Sequence, residues 1–345
     1  MPEETISAPA AGGNSALNWS APGFSSKPAA KTNPPTVLRT NRPPAIPPKP
    51  APVLTWTSLK RWTDEHQVGA PHLLSRTPLM TYAVSSIRGT MLLAIGSHEA
   101  SWNGIEMNLG FEPQLIDGEV FLHGLDLQKN LEPLLCGPPL TFGTNRVIVI
   151  DPGHGGSNTG THSVRDGRFE KEFTLDWAER LAPLLATNGW TVFLTRTGDA
   201  YVTNANRAVF ATAHHADVFI SLHFNSTPDR DEKAGGLETY CFTPTGMPST
   251  VTRGYADPWD EKSPGNDFDS RNLQLAVKLQ GALTHSVGME DRGVRHVRYI
   301  EVLRGQKCPA VLIEGGYLSN PAEAEKIESA AYRQKLAEAV ANALK

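Results

Sequence analysis

From Arg146 to the C-terminus, short unbroken apolar runs alternate with longer stretches whose apolar residues recur every three to four positions. RVIVID (146–151), TVFLTR (191–196), DVFISLH (217–223) and AVLIEGG (310–316) read as strands. EKEFTLDWAERLAPLLATNG (170–189) and ANRAVFATAHHA (205–216) read as helices, and a long helix follows the last strand. Strands that are apolar on both faces and separated by helices predict an α/β domain over 144–345, with a mostly parallel sheet covered by helices on both faces.

Upstream the texture differs. Residues 53–137 combine one short helical stretch, SLKRWTDEHQV, with strands such as MLLAIGS and the turn dipeptides Asn103-Gly104 and Asp117-Gly118. That pattern predicts a small β-rich domain. It carries no convergent set of His, Cys or acids, so an accessory role is expected of it. Residues 1–52 hold 12 of the 27 prolines and almost no periodic apolar pattern, which predicts a disordered, extended tether.

Composition narrows the partners. A formal charge of −4 gives no basic excess for holding nucleic acid through its phosphates. The opening MPEETISAPA has acids where a secretory signal is basic, and no apolar core follows, so no signal peptide is expected in this chain. No run approaches the roughly 18 to 20 apolar residues that a membrane span needs. Three cysteines (Cys136, Cys241, Cys308) at wide spacing exclude a disulfide framework and a cysteine-rich zinc module.

In open α/β sheets, ligands bind beyond the carboxyl ends of the strands. Three strand ends carry metal-capable groups: His154 after RVIVID, His223 in DVFISLH and Glu314 in AVLIEGG. Glu314 follows Val311, Leu312 and Ile313 on an interior strand, where a carboxylate must be paired, protonated or near a metal. A buried salt bridge to Arg196, at the end of TVFLTR, is the alternative to a catalytic role. Glu170 and Glu172 compete as a fourth group. With Phe173 at zero and about 100° per residue, Glu170 falls at about 60°, within the stripe of Trp177, Leu181 and Leu184, and Glu172 at about −100° points away. Glu170 therefore faces inward, as a ligand or as a dipole-stabilised cap.

Two histidines and one glutamate with an open position form the ligand set of a catalytic zinc site, leaving Glu314 as the proton carrier. The separations of 16, 53 and 91 residues make no compact metal motif, so the weight rests on local context. A dinucleotide-binding reading of the glycine turn fails: Gly153 and Gly155 fit GxGxxG, but Asn158 stands at the third position.

Those contexts run IDPGHGGSNTGTHS, FEKEFTLDWAERL, LTRTGD, NRAVFATAHHADVFISLHFNS, GGLETYCF, EDRGVRHVRYIEVLR and CPAVLIEGGYLSNPAEAEKI. In order and spacing, from Arg146 to Lys345, the chain resembles zinc-dependent N-acetylmuramoyl-L-alanine amidases of the Amidase_3 type. The resemblance implies that His154, Glu170 and His223 bind one zinc ion and that Glu314 is the catalytic acid-base. It also implies the substrate, the amide between the lactyl group of N-acetylmuramic acid and L-alanine in peptidoglycan, a place in the cell envelope, and work in wall remodelling or daughter-cell separation. The DRGV element offers Arg292 for a substrate carboxylate or as a loop brace, and Asn225 as a substrate contact or a support for the ligands. A monomer is expected, with any protein activator left unspecified. The run IGSHEASWNGIEMNLGFEPQLIDGEVFLHGLDL resembles copper amine oxidase N-terminal-like modules, which hold no copper.

Some members of the amidase family carry an inhibitory helix after the GGLETY strand. Here TPTGMPSTVTRGYADPWDEKSPGNDFD, with four prolines and three glycines, predicts a long loop and an open site. Tyr255 and Trp259 in it are candidates for stacking on sugar or for packing the loop. Two other readings compete with the amidase: a zinc peptidase cutting within the stem peptide, and a non-catalytic wall-binding protein.

Overall fold

The computed structural model describes residues 56–227 and 231–345, and the proline-rich tether expected over 1–52 lies outside them. The chain enters through β1 (Trp56–Ser58) and α1 (Leu59–His66). A meander follows: β2 (His72–Ser75), β3 (Thr81–Ser86), β4 (Gly89–Ala94), β5 (Glu99–Trp102) and β6 (Ile105–Asn108), each antiparallel to the next. β7 (Gln114–Ile116) and β8 (Glu119–His123) form a hairpin that joins β1 in a separate three-stranded sheet. Asn103-Gly104 and Asp117-Gly118 close the β5–β6 and β7–β8 hairpins with positive φ at all four residues (50°, 83°, 51° and 80°). Two consecutive positive φ values match the twist of the flanking strands, which is why these dipeptides were legible as turns.

A helical segment links the two regions: α2 (Gly124–Asp126), a π turn (Leu127–Leu131) and α3 (Glu132–Leu135). The predicted alternation then appears as β9 (Val147–Pro152), α4 (Glu170–Thr187), β10 (Thr191–Leu194), α5 (Asn204–Ala213), β11 (Val218–Asn225) and β12 (Leu237–Phe242). After a long loop ending in a 3-10 turn (Pro264–Phe268) come α6 (Asp269–Val287), β13 (Asp291–Val297), α7 (Glu301–Arg304), β14 (Ala310–Tyr317), α8 (Pro321–Glu328) and α9 (Ala330–Ala343).

The strands order as β10-β9-β11-β14-β12-β13-β6-β5-β4-β3-β2 in one sheet. This corrects the expectation of a mostly parallel sheet, because the sheet is mixed. β10, β9, β11 and β14 are parallel, but β12 runs antiparallel to β14, and the meander extends the far side. Only a non-helical connection stands between β11 and β12 among the described residues, and without a crossover helix a returning strand pairs antiparallel. β13 pairs parallel to β6 at Val294↔Met107, so the strands expected in separate domains share hydrogen bonds.

Helices cover both faces, as predicted. Phe173, Trp177 and Leu181 of α4 and Leu336 and Val340 of α9 pack with Ile148, Ile150 and Ile220 on one side. On the other, Ala211 of α5 and Val302 and Leu303 of α7 cover Val149, Phe219, Tyr240 and Leu312.

A buried polar chain fastens the linking helical segment to β13. His296 Nε2 donates to Asn130 Oδ1 (3.2 Å), and Asn130 Nδ2 donates to Asp126 Oδ1 (2.8 Å). Asp126 also accepts from Gly110 N and Phe111 N. Burial, reinforced by Arg298, lowers the His296 pKa to about 4, and Cys241 Sγ, 3.6 Å away, faces its other nitrogen. A histidine that resists protonation when folded stabilises fully above its unfolded pKa of about 6.5 and loses that contribution as pH falls toward 4. The stability difference between wild type and His296→Gln, from urea unfolding, should therefore shift by about 2 kcal/mol against the wild type between pH 7 and pH 5. A difference that stays flat would show that His296 is readily protonated in place.

Candidate active site

β9 ends in a turn that aims His154. Asp151, fully buried, accepts from Ser221 Oγ at 2.7 Å, from Thr195 Oγ1 and from Arg207 Nη1. Arg207 also donates to Pro152 O (2.9 Å) and His154 O (2.7 Å), while Arg196 donates to Pro152 O (3.0 Å) and Gly153 O (2.9 Å). Three successive carbonyls are thus held by two buried guanidinium groups. His154 itself sits at φ 62°, a left-handed conformation that a non-glycine residue keeps only where its surroundings enforce it. Lys171 closes the turn from the helix side, donating to Gly156 O (3.0 Å) and Asp199 Oδ2 (2.7 Å).

Against this turn lie the first residue of α4 and the end of β11. His154 Nε2 is 3.0 Å from Glu170 Oε2, and His223 Nδ1 is 2.9 Å from Glu170 Oε1. One donor atom from each of the three residues falls within 4.8 Å of the others. Glu170 also accepts from Thr161 N and Phe224 N, both at 3.1 Å. His154 Nδ1 donates to Asn158 Oδ1 (2.9 Å), which orients the ring with Nε2 inward. Glu172 points outward and accepts from Phe169 N (3.1 Å), capping the helix, so the helical wheel separated the two acids correctly. Packing is tight enough to need glycine. A Cβ on Gly153 would come within 2.3 Å of the His223 ring, and one on Gly160, at φ 68°, within 2.5 Å of Glu170 Oε2.

Register brings Glu314 to the same place. His223 of β11 pairs with Glu314 of β14, which pairs in turn with Glu238 of β12. Glu314 is 8% exposed, and its Oε2 has no hydrogen-bond partner among the described residues. Arg196, the salt-bridge alternative, spends its donors on the β9 turn and on Lys171 O and Thr174 Oγ1. Glu238 by contrast is saturated, accepting from Asn225 Nδ2 (3.0 Å), Tyr240 OH (2.6 Å), Arg292 Nε (3.0 Å) and Tyr317 OH (3.2 Å).

The electrostatics follow from this arrangement. Burial disfavours charge on Glu170, but the bonds and charges of His154 and His223 prevail and hold its carboxyl well below the usual range. Burial lowers His154, and Glu170 and Asn158 more than restore it. His223 is deeper, and its burial prevails over Glu170 to leave it depressed. Glu314 is pushed well above the ordinary carboxylate range by burial, then by Glu170 and Glu238, with Arg253 opposing.

The donor set fits a divalent cation of the zinc class: two imidazole nitrogens and a carboxylate oxygen on rigid elements, an outer hydrogen bond on His154, and an unpartnered buried carboxylate oxygen beside them. The side chains of His154 and His223 remain 21% and 18% exposed, leaving one side open. Among the described residues, no α-helix forms between Phe242 and Asp269, in keeping with the loop predicted there.

A profile of the N-acetylmuramoyl-L-alanine amidase family matches residues 148–345, more than half of the chain. The chain belongs to that family. The uncharacterized protein YqiI of Bacillus subtilis (strain 168) is 30% identical over 220 residues, covering 61% of this chain and 93% of YqiI. LytH of Staphylococcus aureus, a probable cell wall amidase, is 33% identical over 201 residues, 58% of this chain and 57% of LytH, so this chain matches little more than half of that relative's length. The crystal structure of N-acetylmuramoyl-L-alanine amidase from Clostridium difficile 630 aligns with 59% of this chain and 96% of its own at 32% identity and a TM-score of 0.49.

Within this family member, Asn225 and Arg292 both bond Glu238, and Arg292 also lies over the Tyr317 ring at 5.4 Å. Two residues of the rim escaped the sequence reading. Glu238 had a visible signal, the single charged residue of the strand LETYCF, the same kind of anomaly that marked Glu314. Arg253 had none, because the site is reached only by the folding of the long loop.

Proposed function

We propose that this protein is a zinc-dependent N-acetylmuramoyl-L-alanine amidase that hydrolyses the amide between the lactyl group of N-acetylmuramic acid and L-alanine, in remodelling of the cell wall. The observation that carries the reading is the convergence of His154, Glu170 and His223 within 4.8 Å, with Glu314 in register beside His223. His154, Glu170 and His223 would hold the metal, which when bound would supply a Lewis acid to polarise the amide carbonyl and acidify the attacking water. Glu314 takes a proton from the attacking water and delivers it to the departing alanine nitrogen. Its raised pKa suits the second half of that task, the delivery of the proton, for which the protonated form must be reachable near neutral pH. Asp151, Arg196 and Arg207 keep the His154 turn in place. The β-rich region before residue 137 serves as an accessory to this domain, and the place of action is the cell envelope.

Digestion of purified peptidoglycan followed by mass spectrometry tests the reading. Free stem peptides beginning with L-alanine are expected, and chelation should stop their release. Muropeptides trimmed within the stem would show a peptidase instead, and an unaltered sacculus would favour a wall-binding protein.

A further inference from the structure

The loop between β12 and α6 is built to hold one arginine over the site. Asp257 ties its arms together, accepting from Ser249 N (2.7 Å) and Ser249 Oγ (2.9 Å) and pairing with Arg298. Arg298, 2% exposed, donates onward to Pro244 O and Met247 O, both at 3.0 Å. Thr250 N donates to His296 O at 2.8 Å, and Tyr255 stacks on Tyr299 with ring centroids 4.8 Å apart. Between these anchors the chain turns through Arg253 at φ 49° and Gly254 at φ 80°. A long side chain at positive φ is disfavoured, and such outliers concentrate where function needs them.

The turn delivers Arg253 to the ends of the catalytic strands. Its Nη2 donates to Asn225 Oδ1 (3.2 Å) and to Tyr240 OH (2.9 Å), on the two strands that flank Glu314. Nε and Nη1 make no hydrogen bond, and the guanidinium no ion pair, among the described residues. Arg292, the other cation nearby, pairs with Glu238 through Nε. The Arg253 residue remains exposed. A guanidinium fixed at one end, with donors to spare, is suited to a carboxylate. On the proposed substrate, a free carboxylate lies close to the scissile amide. Where the second stem residue is D-isoglutamate, linked onward through its side chain, its α-carboxylate is unsubstituted.

We propose that Arg253 binds this α-carboxylate and makes the enzyme select acid stems over amidated ones. The proposal rests on the amidase reading and adds the determinant of its peptide preference.

The test uses the full-length, zinc-loaded protein with two synthetic substrates, N-acetylmuramoyl-L-alanyl-D-isoglutamate and the corresponding D-isoglutamine. Wild type should favour the acid in kcat/KM by about 10- to 100-fold, the range of a charge-assisted hydrogen bond. Arg253→Ala should abolish the preference, the loss falling on KM for the acid, and Arg253→Lys should restore part of it. A wild type indifferent to amidation, or an Arg253→Ala variant slowed equally on both substrates, would overturn the proposal. Failure of the wild type to cleave either substrate would instead overturn the amidase reading and this inference with it.

Discussion

Glu314→Gln should lower kcat by about 10²- to 10⁴-fold, the range of a general acid-base group, while one zinc per chain is retained. The substitution keeps the shape of a side chain that is 8% exposed and whose Oε2 has no hydrogen-bond partner among the described residues, so the fold has little to lose. It removes only the ability to accept and return a proton. The two readouts separate roles: a ligand would cost metal content and activity together, whereas a proton carrier costs turnover alone. Elemental analysis with steady-state kinetics on peptidoglycan decides between them. Turnover within a few-fold of wild type would end the assignment. The neighbouring acid is expected to behave differently, because Glu238 already accepts four hydrogen bonds and is held by Arg292.

Arg207→Met should destabilise the protein by about 3–5 kcal/mol, measured by urea unfolding of the metal-free form at neutral pH. Asp151 is fully buried, and Arg207 is its only cationic partner among the ion pairs of the described residues. Removing one member of such a pair leaves an uncompensated charge in the interior. The double variant Asp151→Asn/Arg207→Met should recover much of the loss, because no charge then remains to be desolvated. A single-variant effect below about 1 kcal/mol would mean that the Ser221 and Thr195 hydroxyls suffice for Asp151. Arg207 also holds His154 O, so zinc affinity should fall in Arg207→Met even under conditions where the protein stays folded.

What was legible in the residues is what short-range rules encode. Periodicity located β9, β10, β11 and β14 and the helices α4 and α5, because burial on both faces of a strand leaves an unbroken apolar run and burial of one helix face an apolar stripe. The wheel turned Glu170 inward because a helix of fixed pitch presents residues 170, 173, 177 and 181 to one side, and all four are buried. Asn103-Gly104 and Asp117-Gly118 marked their hairpins because their backbone preference is local.

Pairings between distant segments were not legible. The antiparallel seat of β12 beside β14 follows from a connection without a helix after β11 and from the later strand β14 lying between β11 and β12. That choice places Glu238 opposite Glu314 and made the expected parallel sheet a mixed one. Union of the meander with the main sheet through β6 and β13 depends likewise on contact between residues far apart in the chain. Arg196 and Arg253 show the same limit. Strand-end proximity in the sequence pointed Arg196 at Glu314, yet the backbone carbonyls of the His154 turn claimed it, and the cation whose charge opposes the rise of the Glu314 pKa, Arg253, arrived from a loop with no periodic signal at all. Side-chain chemistry and local period are written residue by residue, whereas the identity of a charge's neighbour is set by the path of the whole chain.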